Sequence, residues 1–254
     1  MIVSISIGWR KVVELNGKNA LVTGGCRGIG RAISLALAEK GASVAVHFQK
    51  NDEAADLTVK KLFEKGVKAE KFQADVRDFA QVQSMMKTVN KNLGGLQILV
   101  NNAGMSGTNY SLLSIEEAEW REVLDVNLTG VFNCSRAAVL EFQKELEKIV
   151  NISSIAGKMG GTIGCHYAAA KAGVIGMTFA LARELAPDVW VNAVAPGPVN
   201  TGFLSLEQEE KLSKATPFGR VARPEEIAHT VIYLLENDYV SGEVIDVNAG
   251  RYMD

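Results

Sequence analysis

A short apolar run, Asn19 to Thr23, passes into Gly24-Gly25-Cys26-Arg27-Gly28-Ile29-Gly30 and then into helix-forming residues from Arg31 to Lys40. A strand that enters a helix through closely spaced glycines leaves the chain few folds. Glycine takes a positive φ at no steric cost, and its missing Cβ lets a ligand approach the backbone. The N–H groups opening the helix have no partner within it. Together with the helix dipole they face outward, as in α/β proteins that hold a dinucleotide pyrophosphate. The spacing Gly24, Gly28, Gly30 is not the general G-x-G-x-x-G fingerprint, and a plain tight turn is the alternative.

Strand and helix continue to alternate along the chain. Further strands are expected at Ser43 to Phe48, near 68–74, at Leu96 to Val100, Ile149 to Ile152, Val189 to Val194 and Glu243 to Val247. Helices are expected near 51–65 and 78–92, over a long region of about 115–146, from Ala168 onward, and from Pro224-Glu225-Glu226, where proline and acids occupy the first turn. This order predicts an α/β fold, a single-domain Rossmann-type doubly wound parallel sheet of about seven strands with helices on both faces. No Pro-, Ser- or charge-rich linker divides the 254 residues, so 17–254 reads as one domain behind an extension, 1–16, of unassigned role. The apolar run Ile2 to Ile7 in that extension is too short for a signal peptide or a membrane span.

A formal charge of −2 and no basic run with interleaved aromatics argue against a nucleic-acid partner. The three cysteines, Cys26, Cys134 and Cys165, are scattered and make no metal-ligand spacing with histidine, which suits a metal-free protein of a reducing cytoplasm.

The C-terminal ends of the strands are where open α/β sheets bind ligands. They carry Asp75-Val76 and Asn101-Asn102-Ala103-Gly104, for which turn formation and capping are the alternative. The second strand ends His47-Phe48-Gln49-Lys50 without the acid that would meet a ribose hydroxyl, the first acid being Asp52. Arg27 and Lys50 can meet a 2′-phosphate instead, which predicts NADPH over NADH.

The chemistry is placed between Ser153 and Lys171. Tyr167 and Lys171 sit at i and i+4 on one helical face. A neighbouring ammonium favours phenolate and pulls the tyrosine toward working pH, so that it can exchange a proton with a carbonyl or alcohol oxygen. Ser153 or Ser154, at the end of the preceding strand, can hydrogen-bond the same oxygen. An ordinary helix pair is the alternative. Cys165 either lines the pocket or packs as a small apolar residue, and His166 is a less favoured base. Asn127, an amide in mid-helix, points to a bend, a bound water or a function. Trp120, Leu124, Leu128 and Phe132 form a stripe for the core or for a partner subunit, and 202–216, without a strong period, suits a mobile flap over a substrate.

From about Asn16 to Gly250 these motifs together resemble the short-chain dehydrogenase/reductase family. Thr23-Gly24 through Gly28-Ile29-Gly30 matches the family's cofactor turn, with Cys26 and Arg27 inside it. Asp75-Val76 matches its adenine-contacting pair, Asn101 to Gly104 the motif after the fourth strand, and Pro196-Gly197 through Val199 and Thr201 the segment over the nicotinamide. Asn127, Ser154, Tyr167 and Lys171 match the catalytic four, Ser154 being preferred because the family's serine lies thirteen residues before the tyrosine. The resemblance implies that Tyr167 donates or accepts the proton and Ser154 steadies the substrate oxygen. Lys171 lowers the tyrosine's pKa and holds the nicotinamide ribose, and Asn127 positions a water. It further implies an NADP(H) cofactor and a homotetramer.

Within the family the chain is most similar to the 3-oxoacyl-[acyl-carrier-protein] reductases, through Arg27, Tyr167 to Gly173 and Asn192 to Gly197. That similarity implies a 3-oxoacyl thioester as substrate and acyl carrier protein as partner. An alcohol, sugar or hydroxysteroid dehydrogenase is the second reading, and a non-catalytic cofactor sensor the third. Where these reductases carry basic residues for the carrier, the chain has Glu145-Leu146-Glu147-Lys148 and Pro187-Asp188-Val189-Trp190, and Gly164-Cys165-His166 replaces their Gln-Ala-Asn.

Overall fold

Apolar strands without alternation need cover on both faces, and the sheet supplies it. A computed structural model describes residues 13–161, 163–202 and 204–253. Residues 1–12, most of the extension with its apolar run, lie outside the described residues. Seven strands form one parallel sheet in the order β3-β2-β1-β4-β5-β6-β7: β1 Asn19–Val22, β2 Ser43–Phe48, β3 Ala69–Gln73, β4 Ile98–Asn101, β5 Lys148–Ile152, β6 Trp190–Pro196 and β7 Val244–Val247. Successive side chains of a strand point to opposite faces. Ala20 and Val22 accordingly enter one core with α1 (Gly28–Glu39), α2 (Asp52–Glu64) and α9 (Pro224–Glu236). Leu21 enters the other, with α3 (Phe79–Leu93), α5 (Gly130–Glu141) and the far end of α7 (Cys165–Glu184). Each fully buried leucine or valine contributes about 1.5–3 kcal/mol.

Local signals set the helix ends. The Asn51 side chain caps α2 and that of Asp78 caps α3, which stops at Gly94 with φ 82°. Because β1 has β2 on one side and β4 on the other, the strand order reverses at β1, and the ends of β1 and β4 open onto a crevice.

One expectation is corrected. The long helical region is three pieces: α4 (Glu117–Leu124), a π-helical turn (Asp125–Thr129) and α5. It ends at Glu141 because the N–H groups of Glu147 and Lys148 both bond the Gln97 carbonyl and draw the chain back to start β5 beside β4. Within 202–216, the segment that suits a mobile flap, the chain forms a helix, α8 (Leu206–Lys214), started by a capping box between Ser205 and Gln208. The remaining helix, α6 (Ala156–Met159), lies between β5 and α7. No described helix is long and apolar enough to cross a membrane.

Candidate active site

The turn after β1 is pinned from two sides. Thr23 Oγ1 accepts the backbone N–H groups of Asn102 and Ala103 at 2.8 and 2.9 Å, and the Asn102 amide donates to the carbonyls of Thr23 and Gly24 at 2.9 and 3.2 Å. Opposite, the Gly24 N–H donates to His47 Nδ1 at 3.0 Å. Glycine is required here: Gly24 has φ +62° and a Cβ on it would stand 3.2 Å from the Ala103 Cα, while one on Gly30 would reach 2.1 Å from the Gly24 carbonyl oxygen. No side chain caps α1 and no acid lies in its first turn, so its leading N–H groups at Gly28 and Ile29 are free for an anion. Cys26 turns its thiol into the core, where burial pushes its pKa up, and leaves only its backbone to the turn.

At the end of β2, Gln49 and Lys50 are exposed, as is Arg27. Gln49 Nε2 donates to Asp75 Oδ2 at 2.9 Å, and Arg77 clasps the same carboxylate at 2.6 and 3.0 Å, holding its pKa below the usual range. Val76 is buried against Gly130, where a Cβ would come within 2.7 Å of its Cγ2. Beyond β6, the Gly197 N–H bonds the Val247 carbonyl at 2.9 Å, and a parallel bridge joins Val199 to Ala222. This brings Thr201 over the glycine turn, 3.1 Å from where a Cβ on Gly28 would lie. A cavity of about 330 Å³ between them is lined by Gly28, Arg31, Asn200 and Thr201.

The four polar side chains expected to share the chemistry come together at the mouth of β4 and β5. Lys171 is buried, and its Nζ donates to the Ile152 carbonyl at 2.8 Å and lies 5.7 Å from the centre of the Tyr167 ring. Gly104 separates Lys171 from Asn127: a Cβ there would stand 2.7 Å from Asn127 Oδ1 and 3.6 Å from Lys171 Nζ. The two serines divide their work. Ser153 spends its hydroxyl on the Lys171 carbonyl at 2.9 Å, while Ser154 hydrogen-bonds the Tyr167 phenol and takes the Ala156 N–H at 3.1 Å.

Asn127 sits in the π-helical turn. Bonding there runs one residue longer than in an α-helix, as from the Gly130 N–H to the Asp125 carbonyl. The Asn127 amide donates to the Val123 carbonyl at 2.9 Å and to that of Met105 at 2.7 Å, and its oxygen accepts the Met105 N–H at 3.3 Å. The mid-helix amide therefore marks an irregular turn that aims it at the loop after β4.

The charge relation differs from the expectation. Burial raises the Tyr167 phenol, the Ser154 hydrogen bond pulling the other way. Lys171 is itself lowered to about 8 by burial, so desolvation outweighs the pull expected of its charge on the phenol. A raised phenol beside a serine hydroxyl keeps its proton at neutral pH and can hold a carbonyl oxygen between two donors.

Cys165 is exposed at the start of α7. His166 is wholly buried, with its Nε2 4.0 Å from Glu119 Oε1. Of the apolar stripe, Trp120 and Phe132 face outward, whereas Leu128 lies against α7 at Gly173. Sequence reasoning missed His47 and the Thr23 hydroxyl as anchors of the turn, since neither carries a local signal beyond its place near a strand end.

Residues 18–212 match the family model described as short chain dehydrogenase. The chain is 43% identical over 243 residues to the 3-oxoacyl-[acyl-carrier-protein] reductase FabG of Staphylococcus aureus (strain Mu50), covering 93% of this chain and 98% of the relative. It is 39% identical over 247 residues to the 3-oxoacyl-[acyl-carrier-protein] reductase of Synechocystis sp., covering 95% and 100%. Among solved structures, a short chain dehydrogenase from Burkholderia cenocepacia J2315 in complex with NADP superposes with a TM-score of 0.87 at 32% identity, over 94% of this chain and 99% of that one.

Proposed function

The chain belongs to the short chain dehydrogenase family, and from that premise we propose that it is an NADPH-dependent reductase of 3-oxoacyl thioesters carried on acyl carrier protein. The observation that carries the reading is the meeting of Ser154, Tyr167, Lys171 and Asn127 beside a glycine turn whose helix start is uncapped. Residues 17–254 act as one catalytic domain in this reading, and the reaction runs in the cytoplasm, in keeping with three free cysteines.

The turn fits a dinucleotide on its own geometry, since Cβ atoms at Gly24 and Gly30 would fill the cradle and the first N–H groups of α1 are uncapped. Gly24, Cys26, Gly28, Ile29 and Gly30 would hold the pyrophosphate through their backbone, and Arg27, Gln49 and Lys50 the ribose 2′-phosphate. Asp75 and Val76 would hold the adenine, and Asn102, Ala103, Gly104, Pro196, Gly197, Val199 and Thr201 the nicotinamide end. When bound, NADPH supplies the hydride for the substrate's carbonyl carbon.

The chain's own part is positioning and proton transfer. Ser154 Oγ donates a hydrogen bond to the carbonyl oxygen, and Tyr167 Oη delivers the proton to it. Lys171, positively charged below about pH 8, steadies the phenolate left behind. Asn127 holds Met105 and keeps the loop after β4 in register with Lys171.

The test is NADPH consumption by the purified protein with 3-oxobutyryl thioesters of acyl carrier protein and of coenzyme A, beside simple ketones, sugars and steroids. We expect turnover with the thioesters, the carrier form preferred, and a fall in kcat of about 10²–10⁴-fold in Tyr167→Phe. Turnover confined to another carbonyl would discard the substrate, and near-normal turnover in Tyr167→Phe would discard the mechanism.

A further inference from the structure

Next to Tyr167, the His166 imidazole has no exposed surface. Its Nδ1 accepts the Tyr167 backbone N–H at 2.7 Å, so the ring's proton is on Nε2. Among the described residues that buried nitrogen has no hydrogen-bond partner, and Glu119 Oε1 stands 4.0 Å away. A buried donor without an acceptor is costly and rarely kept without a use.

Glu119, on α4, already gathers the loop that follows β4. Its carboxylate accepts the Thr108 N–H, the Thr108 hydroxyl at 2.9 Å, the Asn109 N–H at 2.9 Å and the Asn109 amide. These bonds, that of the Asn109 side chain first, hold its pKa at about 2 and keep it ionised. The imidazole lies in a slot left by two glycines. A Cβ on Gly107, at φ +77°, would stand 2.8 Å from His166 Nε2 and 2.9 Å from Glu119 Oε1, and one on Gly164, at φ +83°, would stand 2.7 Å from His166 Cε1. The loop is thus held by Asn127 at Met105 and by Glu119 at Thr108 and Asn109. Gly107, between those points, leaves the space beside the histidine that precedes the tyrosine.

We propose that His166 is a positioning residue for substrate: when the cleft fills, its Nε2–H closes onto the Glu119 carboxylate and locks the 105–109 loop beside Tyr167. The proposal rests on the reading of the site given above. A contact completed only with substrate in place sets substrate affinity and leaves proton transfer and cofactor affinity unchanged. The histidine is then a fifth donor to Glu119, held just out of reach until the loop moves by about an ångström.

Three single variants, one double variant and one spectrum test it. His166→Phe keeps a ring of similar size and removes both nitrogens, Glu119→Gln keeps an acceptor for the loop and removes the charge, and Gly107→Ala forces the loop off the imidazole. Each should raise KM for the carbonyl substrate about tenfold, with kcat and the NADPH Kd within about twofold of the parent. The double variant His166→Phe/Glu119→Gln should be no worse than the more impaired single. Unchanged KM in both singles, a fall in kcat at constant KM, or effects that multiply in the double would overturn the proposal.

In the wild-type protein, ¹⁵N-labelled imidazole spectra should show the His166 Nε2 proton moving downfield when NADP⁺ and the alcohol product are added. A signal that does not move would overturn the clasp even if His166→Phe fails to fold. If the wild type turns over no thioester, the functional reading fails. The spectrum is then recorded with whichever alcohol the enzyme oxidises, and it still decides the role of His166.

Discussion

His47 joins three strand ends through one side chain. Its Nδ1 accepts the Gly24 N–H at 3.0 Å and its Nε2 donates to the Ala74 carbonyl at 3.0 Å, while its own carbonyl takes the Gly25 N–H at 3.0 Å. Accepting at Nδ1 requires a neutral ring, and burial holds the pKa down at about 4. Between pH 6.5 and 4 the unfolded chain binds a proton that the folded chain refuses, so stability is present above this window and lost as pH falls through it. At about 1.4 kcal/mol per unit the loss reaches about 3 kcal/mol. Urea melts across that range should show a steep decline in the parent and a shallower one in His47→Asn. Equal slopes would mean that another group carries the effect. None of this was legible in the sequence, because His47 sits in an apolar strand and its partner lies 23 residues away on another element. Tyr167, Lys171, Ser154 and the glycine turn were legible because their spacing is local. The thirteen-residue spacing to Tyr167 already favoured Ser154 over Ser153, and the structure adds the physical reason: the Ser153 hydroxyl is engaged by the Lys171 carbonyl.

At the scale of elements, the π-helical turn between α4 and α5 shows what a pattern can reveal and what it hides. The amide at Asn127 was visible as a misfit within a helical run, but the longer bonding that turns it toward Met105 depends on contacts across the fold. Replacing Asn127 by leucine keeps the volume and strips donors from two carbonyls, Val123 and Met105. Each orphaned group costs about 1–3 kcal/mol, so the variant should lose roughly 2–6 kcal/mol in denaturant melts and lower kcat at least about tenfold. Parental stability would show that the carbonyls find other donors. Helix α8 escaped notice for a different reason. It has no buried residue and therefore no apolar stripe to give a period, and its only sign was the Ser205 and Gln208 capping pair.

Most of the sheet was legible because its central parallel strands, buried on both faces, read as continuous apolar runs, whereas the assembly that such a sheet enters has to be argued from its surface. At one edge, β7 has no neighbouring strand on its outer side among the described residues. Large apolar side chains stand in solvent at several places on the surface, two of which lie on α4 and α5 and in the segment before β7. In the first, Trp120 is 36% and Phe132 48% exposed, and in the second Tyr239 is 98% exposed. Two self-complementary faces on one chain close into a tetramer with three perpendicular twofold axes, and losing either face leaves a dimer. We therefore expect sedimentation at micromolar concentration to give four chains of 27.3 kDa each. Phe132→Glu should halve that mass without unfolding the subunit, because the side chain lies outside both cores and packs only against Arg136 among the ring contacts of the described residues. A parent that sediments as a monomer would refute the assembly, and a Phe132→Glu protein that stays tetrameric would move the interface off α4 and α5.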